Sequence, residues 1–171
     1  MNTPLITDRT QFDFTYAMEL RHMIETRTAS VQQWDEWRQE MRGLYTPKHT
    51  MNRVGRAIKE VAGFIGVFFR TIPVMPNVDF NFEDIPSQAE LEKYLYDISA
   101  IREVVAEFTS LPSTPTSMIN LTLEQANDIE RILALAMAWA ESAYAASKLS
   151  SVRSGSVMTY SGSAIYIREA D

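Results

Sequence analysis

Thr122-Leu123-Glu124-Gln125-Ala126-Asn127-Asp128-Ile129-Glu130-Arg131-Ile132-Leu133 combines a helix-entry signal with a helical apolar repeat. The Thr122 hydroxyl can accept a hydrogen bond from the backbone N–H of Gln125, whose amide can reach back to Thr122, as in a capping box. Apolar residues then recur at spacings of three and four, which predicts a fifth helix with one buried face. Its inward-facing residues are predicted to be Ala126, Ile129, Ile132, Leu133, Ala136, Trp139, Ala140 and Ala143.

The same entry signal occurs twice upstream. Ser87 and Glu90 can form a capping box ahead of a fourth helix, and Ser30 and Gln33 can form one ahead of a short second helix. The apolar stripe of the fourth helix is Leu91, Leu95, Ile98, Ile101, Val104, Val105 and Phe108. The stripe of the second helix is Trp34, Trp37, Met41 and Leu44.

Two more helices complete the predicted body. The first should begin at Thr7-Asp8 and end near Thr26 to Thr28, and the third should run from Thr46 or Thr50 to about Phe69. The first helix is expected to bury Phe12, Tyr16, Leu20, Met23 and Ile24. Glycines weaken a helix interior, so those in the third helix predict close approach of another backbone at Gly55, Gly63 and Gly66.

The remaining segments are extended or Pro-rich. Leu5 to Thr7 is predicted to form an extended arm. The prolines of 71–86 and 110–117 prevent a continuous helix in those segments. In 157–167 apolar and polar residues alternate, as they would in one or two strands. The predicted fold is therefore mainly α, with about five helices in two helical hairpin-like sub-domains, an extended N-terminal arm and a C-terminal β-strand or hairpin. Its predicted parts are an N-terminal helical sub-domain with the arm (1–72), a linker (73–86), a C-terminal helical hairpin (87–150) and a terminal strand or hairpin (151–171).

Composition argues against several classes of function. The chain has 171 residues and no cysteine, which excludes disulfides and thiolate metal sites. Residues 1–70 carry 10 basic and 8 acidic side chains, and residues 71–171 carry 6 basic and 14 acidic. Nucleic acid is therefore not an expected partner, because binding it requires clustered Lys and Arg. The first eight residues lack a signal peptide's basic and apolar regions, so we expect synthesis in the cytoplasm.

No catalytic constellation is visible, so we expect a protein that is not an enzyme and has no cofactor, metal site or small-molecule substrate. Glu19 and His22 have the spacing that di-iron bundles use, but such a site needs that motif twice, and His49 has Thr46 three residues before it. A helical metal-binding protein using Glu19 and His22 remains one alternative. A membrane-active protein using Val61–Phe69 is another, although nine residues are too few to cross a bilayer, and we do not expect a membrane partner.

Short motifs spread over nearly the whole chain carry a family resemblance. In order they are Asp8-Arg9-Thr10-Gln11-x-Asp13, Trp34-x-x-Trp37, Met41-Arg42-Gly43-Leu44-Tyr45, Met51-Asn52-Arg53-Val54, Glu83-Asp84-Ile85-Pro86, Tyr94-Leu95, Leu111-Pro112, Met118, Leu121-Thr122-x-Glu124-x-Ala126-Asn127-x-Ile129-Glu130 and Tyr160-Ser161-Gly162-x-x-Ile165-Tyr166. This set resembles a family of small virion structural proteins from tailed phages of Gram-positive bacteria. The resemblance implies a minor structural component, encoded among tail and host-recognition genes, without catalytic activity.

Together these observations predict a virion protein of the distal tail or baseplate that anchors or bridges fibres or receptor-binding proteins. Its expected partners are copies of itself and other virion proteins, and its expected location is the tail region of the particle. Contact residues are sought among apolar side chains on segments that cannot easily bury themselves. The predicted partner-binding residues are Leu5, Ile6, Phe64, Phe68, Tyr160, Ile165 and Tyr166.

Overall fold

The computed structural model describes residues 1–153, 157–161 and 164–168, with side chains described as far as Leu149. Its helices are α1 (Gln11–Glu25), α2 (Val31–Trp37), α3 (Asn52–Phe68), α4 (Gln88–Ala106) and α5 (Leu123–Arg153), and a π-helical turn, Pro47–Met51, leads into α3. The prediction of a mainly helical chain with five helices is confirmed. Two further segments follow α5, β1 (Val157–Ser161) and β2 (Ala164–Arg168). The C-terminal strand or hairpin stays a prediction, since no side chain there is described.

The capping boxes set most helix starts. All three predicted boxes, at Ser30, Ser87 and Thr122, form with both of their hydrogen bonds. A fourth box, which the sequence reading missed, joins Thr10 to Asp13, so α1 begins later than predicted.

The predicted second helix is too long. It ends at Trp37 instead of continuing to Leu44, because the chain turns there to pass beside the first turn of α1. A Cβ atom on Gly43 would lie 2.1 Å from the carbonyl oxygen of Asp13, so only a glycine allows this approach.

The hydrophobic core is formed by α3, α4 and α5 together. One cluster of buried residues includes Ile58 and Ile65 of α3, Ile98 of α4, and Ile132 and Leu133 of α5. The linker 73–86 therefore does not separate two cores, and its Phe80 is itself part of the cluster. The domain boundaries drawn from the sequence stay a prediction.

The three core helices run parallel to one another. In the N-terminal half of both helices, Arg53 of α3 is paired with Glu130 of α5. At the opposite end, the ring of Phe69, just after α3, lies 5.6 Å from that of Phe108, just after α4, and 5.8 Å from that of Trp139 in α5. The prediction that α4 and α5 form a hairpin, which would require antiparallel helices, is wrong.

Extended segments return the chain between the parallel helices. In the segment before α4, Thr71 lies near Gly66, Asn77 near Gly55, and Phe80 exchanges two hydrogen bonds with the Asn52 amide (2.8 and 2.9 Å). The segment 107–122 similarly runs back along α4. At about 3.3 Å per extended residue it can span the 19 residues of α4, which rise by only about 1.5 Å each.

Only one of the three glycines in α3 allows close backbone packing. A Cβ on Gly55 would lie 2.8 Å from the carbonyl oxygen of Asn77 and 3.0 Å from the Val78 side chain. A Cβ on Gly66 would meet its nearest neighbour, in Thr71, at 3.8 Å, and one on Gly63 would meet nothing within 4 Å. The expectation is confirmed at Gly55 and wrong at Gly63 and Gly66.

Substitutions at Gly55 and Gly63 are predicted to change stability in opposite directions within one helix. Gly55→Ala should lower the free energy of unfolding by about 1–3 kcal/mol, because the new methyl group overlaps the backbone of the return segment. Gly63→Ala should raise it by up to about 1 kcal/mol, because alanine favours helix and has open space there. Urea denaturation followed by circular dichroism checks both, and equal shifts in the two variants would contradict the packing described at Gly55.

The hairpin of α1 and α2 adds little to the core. Ala17 and Leu20 are the buried residues of α1, and α2 has none. Phe12, predicted to face inward, is 77% exposed. The buried residues Ala17 and Leu20 define the inward face of α1, and Phe12 lies outside that face.

Candidate interaction site

A buried ion cluster joins the N-terminal arm to the core. The carboxylate of Glu130 in α5 is fully buried and is paired with the guanidinium groups of Arg9 from the arm and Arg53 from α3. Arg53 also pairs with Glu40 at 2.9 Å, which adds the segment after α2 to the cluster. Burial lowers the pKa of Arg53, but hydrogen bonding and attraction to Glu130 outweigh burial and hold that pKa above its ordinary value. All the charges in this cluster are therefore paired.

The arm, defined as residues 2–9, lies along the groove between α3 and α5. Glu60 of α3 accepts hydrogen bonds from the backbone N–H groups of Asn2 and Thr3, and Glu130 accepts one from Ile6 at 2.6 Å. In the other direction, Arg53 donates to the carbonyl of Pro4 (3.0 Å) and Arg131 to that of Thr7 (3.2 Å). At the end of the arm, the Asn127 side chain accepts a hydrogen bond from the backbone N–H of Arg9 (2.9 Å) and donates one to its carbonyl (3.0 Å). The groove therefore binds mainly the backbone of the arm.

Leu5 and Ile6, predicted to bind a partner, lie in this groove. Leu5 is half-buried against the chain's own core, and the backbone of Ile6 is bound by Glu130. The premise that the arm cannot bury itself is wrong, because the ion cluster and the carboxylates hold it in place. Sequence reading missed the cluster because its partners are far apart along the chain.

The ion cluster gathers residues from separate motifs of the family resemblance. Arg9 belongs to the motif at 8–13 and Arg53 to the motif at 51–54. Asn127 and Glu130 both belong to the long motif that begins at Leu121. In the structure all four are buried within one hydrogen-bonded network. These motif residues thus have a structural role in this chain, which is to fix the arm to the helices.

Two tyrosines beside the ion cluster should respond to alkaline pH. The hydroxyl groups of Tyr45 and Tyr94 are 2.7 Å apart, and burial raises the pKa of each above its ordinary value. The unfolded chain loses these protons near pH 10 while the folded chain keeps them, so this contribution to stability is full below about pH 10 and falls as the pH rises further. Tyr94→Phe should weaken that dependence, measured as urea midpoints at about pH 8 and about pH 11. Tyr96→Phe, at an exposed position on α4, is the control, and matching pH profiles would contradict the prediction.

Several exposed apolar side chains lie on α1 and α2. Phe12 is 77% exposed and Val31 79%, and Phe14, Met18 and Trp34 are exposed as well. These residues belong to helices that are otherwise well defined by caps and hydrogen bonds, such as the 2.8 Å bond from the Tyr16 hydroxyl to Glu36. Phe14 also lines a cavity of about 310 Å³ with residues Leu44, Leu121 and Leu123. Rigid helices that present apolar side chains to solvent are typical of protein-binding surfaces.

Phe64 and Phe68, also predicted to bind a partner, are half-buried. Their rings are 5.5 Å apart, and each lies 5.8 Å from the ring of Tyr144 in α5. Both side chains pack against the core. Their role in partner binding stays a prediction, with only part of each ring available. The other predicted contact residues, Tyr160, Ile165 and Tyr166, have side chains outside the described residues.

The two alternative functions concern other parts of the molecule. Glu19 and His22 are both exposed on α1, and no cluster of three or more His, Asp or Glu side chains suited to a metal ion occurs among the residues whose positions are described. Val61, Ala62 and Ile65 of the apolar run are buried in the core. Within the same described part of the chain, every helix is too short or too polar to span a bilayer.

Fold and site together define a small helical protein with three parallel core helices, an arm fixed by a buried ion cluster, and a helical hairpin with exposed apolar side chains. The chain matches no protein-family model, no curated protein and no solved structure.

Proposed function

We propose that this chain is a non-enzymatic assembly protein, and that its assembly is the tail of a phage particle. In this role it is made in the host cytoplasm and incorporated into the distal tail or baseplate, where it anchors or bridges fibres or receptor-binding proteins. The tail assignment rests on the resemblance of its motifs to small virion proteins. The binding role rests on the surface of the molecule.

The observation that carries the proposal is the set of exposed apolar side chains on α1 and α2. Covering a side chain such as Phe12 or Val31 would contribute about 1.5–3 kcal/mol, so a few of them suffice for a specific contact. Because these helices add little to the core, a partner can cover them without disturbing the parallel helices. A surface of this kind suits an assembly protein that has a permanent neighbour.

The C-terminal hairpin is the second contact in this proposal. An isolated two-stranded hairpin is marginally stable in water, so a hairpin formed by β1 and β2 would need a further strand. Strand addition by another virion protein would complete it. Truncation of residues 157–171 should therefore reduce incorporation into particles.

Purified particles provide the test of the proposed function. The chain should be detected by mass spectrometry in particles made from the genome that encodes it, and Phe12→Ser/Val31→Ser should abolish its incorporation while leaving its circular dichroism unchanged. The matched control is Phe82→Ser/Ile85→Ser, which replaces two exposed apolar residues of the linker before α4. Absence of the wild-type chain from particles would refute the tail role, and normal incorporation of Phe12→Ser/Val31→Ser would refute the binding surface.

A further inference from the structure

One exposed face of α3 carries positive charge. This basic face continues just past the end of the helix and consists of Arg56, Lys59, Gly63, Gly66 and Arg70. Within the described part of the chain, no hydrogen bond or ion pair engages the side chains of Arg56 and Lys59, and Arg70 lies over the ring of Phe69 at 5.9 Å. Glu60, beside this face, is already bound to the backbone of the arm. The cations of the basic face are therefore available to a partner.

An exposed face of α4 carries the opposite charge. This acidic face consists of Glu92, Tyr96, Ser99, Glu103 and Glu107, of which Ser99 is half-buried. Glu92 accepts a hydrogen bond of 2.7 Å from Gln88, and nothing in the described structure pairs with Glu103 or Glu107. The cations beside this face are engaged within the chain, since Lys93 pairs with Asp97 at 3.4 Å and Arg102 donates to the carbonyl of Pro112.

The two faces have the same spacing of residues. Positions 59, 63, 66 and 70 follow one another at steps of four, three and four, and so do positions 92, 96, 99 and 103. Such steps keep residues on one side of a helix. Placed parallel and side by side, the two rows would bring a cation opposite a carboxylate at each end and Gly63 opposite the ring of Tyr96. A Cβ atom on Gly63 would meet nothing within 4 Å in its own chain, so this position has room for the ring.

We propose that the basic face of α3 binds the acidic face of α4 in a second copy of the chain. Because the two faces belong to different helices of one body, the contact is head-to-tail, and each copy keeps one face free for a further neighbour. Copies joined in this way close into a ring if the rotation between them closes, and otherwise form an open chain. This contact between copies goes beyond the tail role proposed above.

The strength of this contact depends on salt and on protein concentration. Exposed ion pairs contribute little each and are screened by salt. Association is therefore expected in concentrated protein at low ionic strength, whereas dilute solutions contain single copies of 19.5 kDa. Light scattering of the purified full chain over a series of protein concentrations measures it. The series is recorded at about 0.01 M salt and again at about 1 M salt, where the screening length falls from about 30 Å to about 3 Å and association should disappear.

Charge reversal of one face at a time tests which surfaces meet. Lys59→Glu/Arg70→Glu reverses the basic face, and Glu92→Lys/Glu103→Lys reverses the acidic face. Each variant alone then has two faces of like charge, so the protein concentration needed for association should rise at least about tenfold. An equal mixture of the two variants should associate again, because each offers the other a face of opposite charge.

Net charge does not account for recovery in the mixture. Each replacement changes the charge by two units, so the formal net charge of −6 becomes −10 in the first variant and −2 in the second. Two negative chains repel overall. The matched control is Asp79→Lys/Glu83→Lys, which also has a net charge of −2 but leaves both faces intact and should associate as the wild type does.

Every variant should keep the circular dichroism of the wild type, because the replaced side chains are exposed. If a reversed variant does not, Lys59→Gln/Arg70→Gln or Glu92→Gln/Glu103→Gln replaces it and should still weaken association. A wild-type chain that keeps the mass of one copy at every concentration at low salt would overturn the proposal. So would association of either reversed variant equal to that of the wild type, or a mixture of the two that stays dissociated. All these results come from purified protein, so they are independent of incorporation into phage particles.

Discussion

Replacing Glu130 by alanine is expected to lower the free energy of unfolding by about 3–5 kcal/mol. The carboxylate is fully buried between Arg9 and Arg53, so its removal leaves two guanidinium groups inside the protein with their main partner missing. It also removes the acceptor of the Ile6 backbone N–H, which should release the arm. A loss of this size is a large part of the stability of an ordinary domain. Urea denaturation followed by the fluorescence of the three tryptophans measures it.

Glu130→Gln separates the charge from the shape of the side chain. The amide keeps the size of the carboxylate and one acceptor oxygen, so most of its effect on the urea midpoint comes from the loss of the negative charge that faces Arg9 and Arg53. Glu103→Gln, made at an exposed position on α4, should stay within about 0.5 kcal/mol of the wild type. Equal midpoints for Glu130→Gln and Glu103→Gln would show that the ion cluster adds no net stability.

Local signals in the sequence were sufficient to predict the helices. The capping boxes at Ser30, Ser87 and Thr122 are short-range patterns whose two hydrogen bonds lie within four residues. The apolar stripes of α4 and α5 identified core residues such as Ile98 and Ile132, because helical spacing alone determines which residues share a face. Such features depend little on the rest of the fold.

The relative direction of the helices required information that local patterns do not carry. Successive helices were expected to form hairpins, yet α4 and α5 are parallel. The length of segment 107–122 was the available signal, since connections between antiparallel neighbours usually have about two to eight residues. A longer connection that is extended and rich in proline can return the chain to the start of the preceding helix. Its length was visible in the sequence, and its path was not.

The ion cluster was partly visible in the sequence. Glu130 is four residues after Ala126 and three before Leu133, so helical geometry places this acidic residue on the buried face of α5. A buried carboxylate requires a partner, and that expectation could have been stated from the stripe alone. The identity of the partners could not, because Arg9 and Arg53 lie 121 and 77 residues away along the chain.

Gly43→Ala is expected to be the most disruptive of the glycine substitutions, with a loss of about 3 kcal/mol in the free energy of unfolding. The new Cβ would lie 2.1 Å from the carbonyl oxygen of Asp13 and 2.8 Å from the Cα atom of Phe14. Both are backbone atoms of α1, which cannot yield as a flexible side chain would. The helix must therefore move away from residues 42–43, and the contacts of Arg42 with Asp8 and Arg9 should weaken with it.

Hydrogen exchange of the backbone amides shows which segments Gly43→Ala destabilises. The amides of α1 and the arm should exchange faster than in the wild type, whereas those of α3, α4 and α5 should change less, because the core cluster lies in the latter three helices. Gly66→Ala is the matched control, since its Cβ would meet its nearest neighbour at an ordinary 3.8 Å and the substitution favours helix. Uniform acceleration of exchange in every helix would mean that residues 1–43 and the core unfold as one unit.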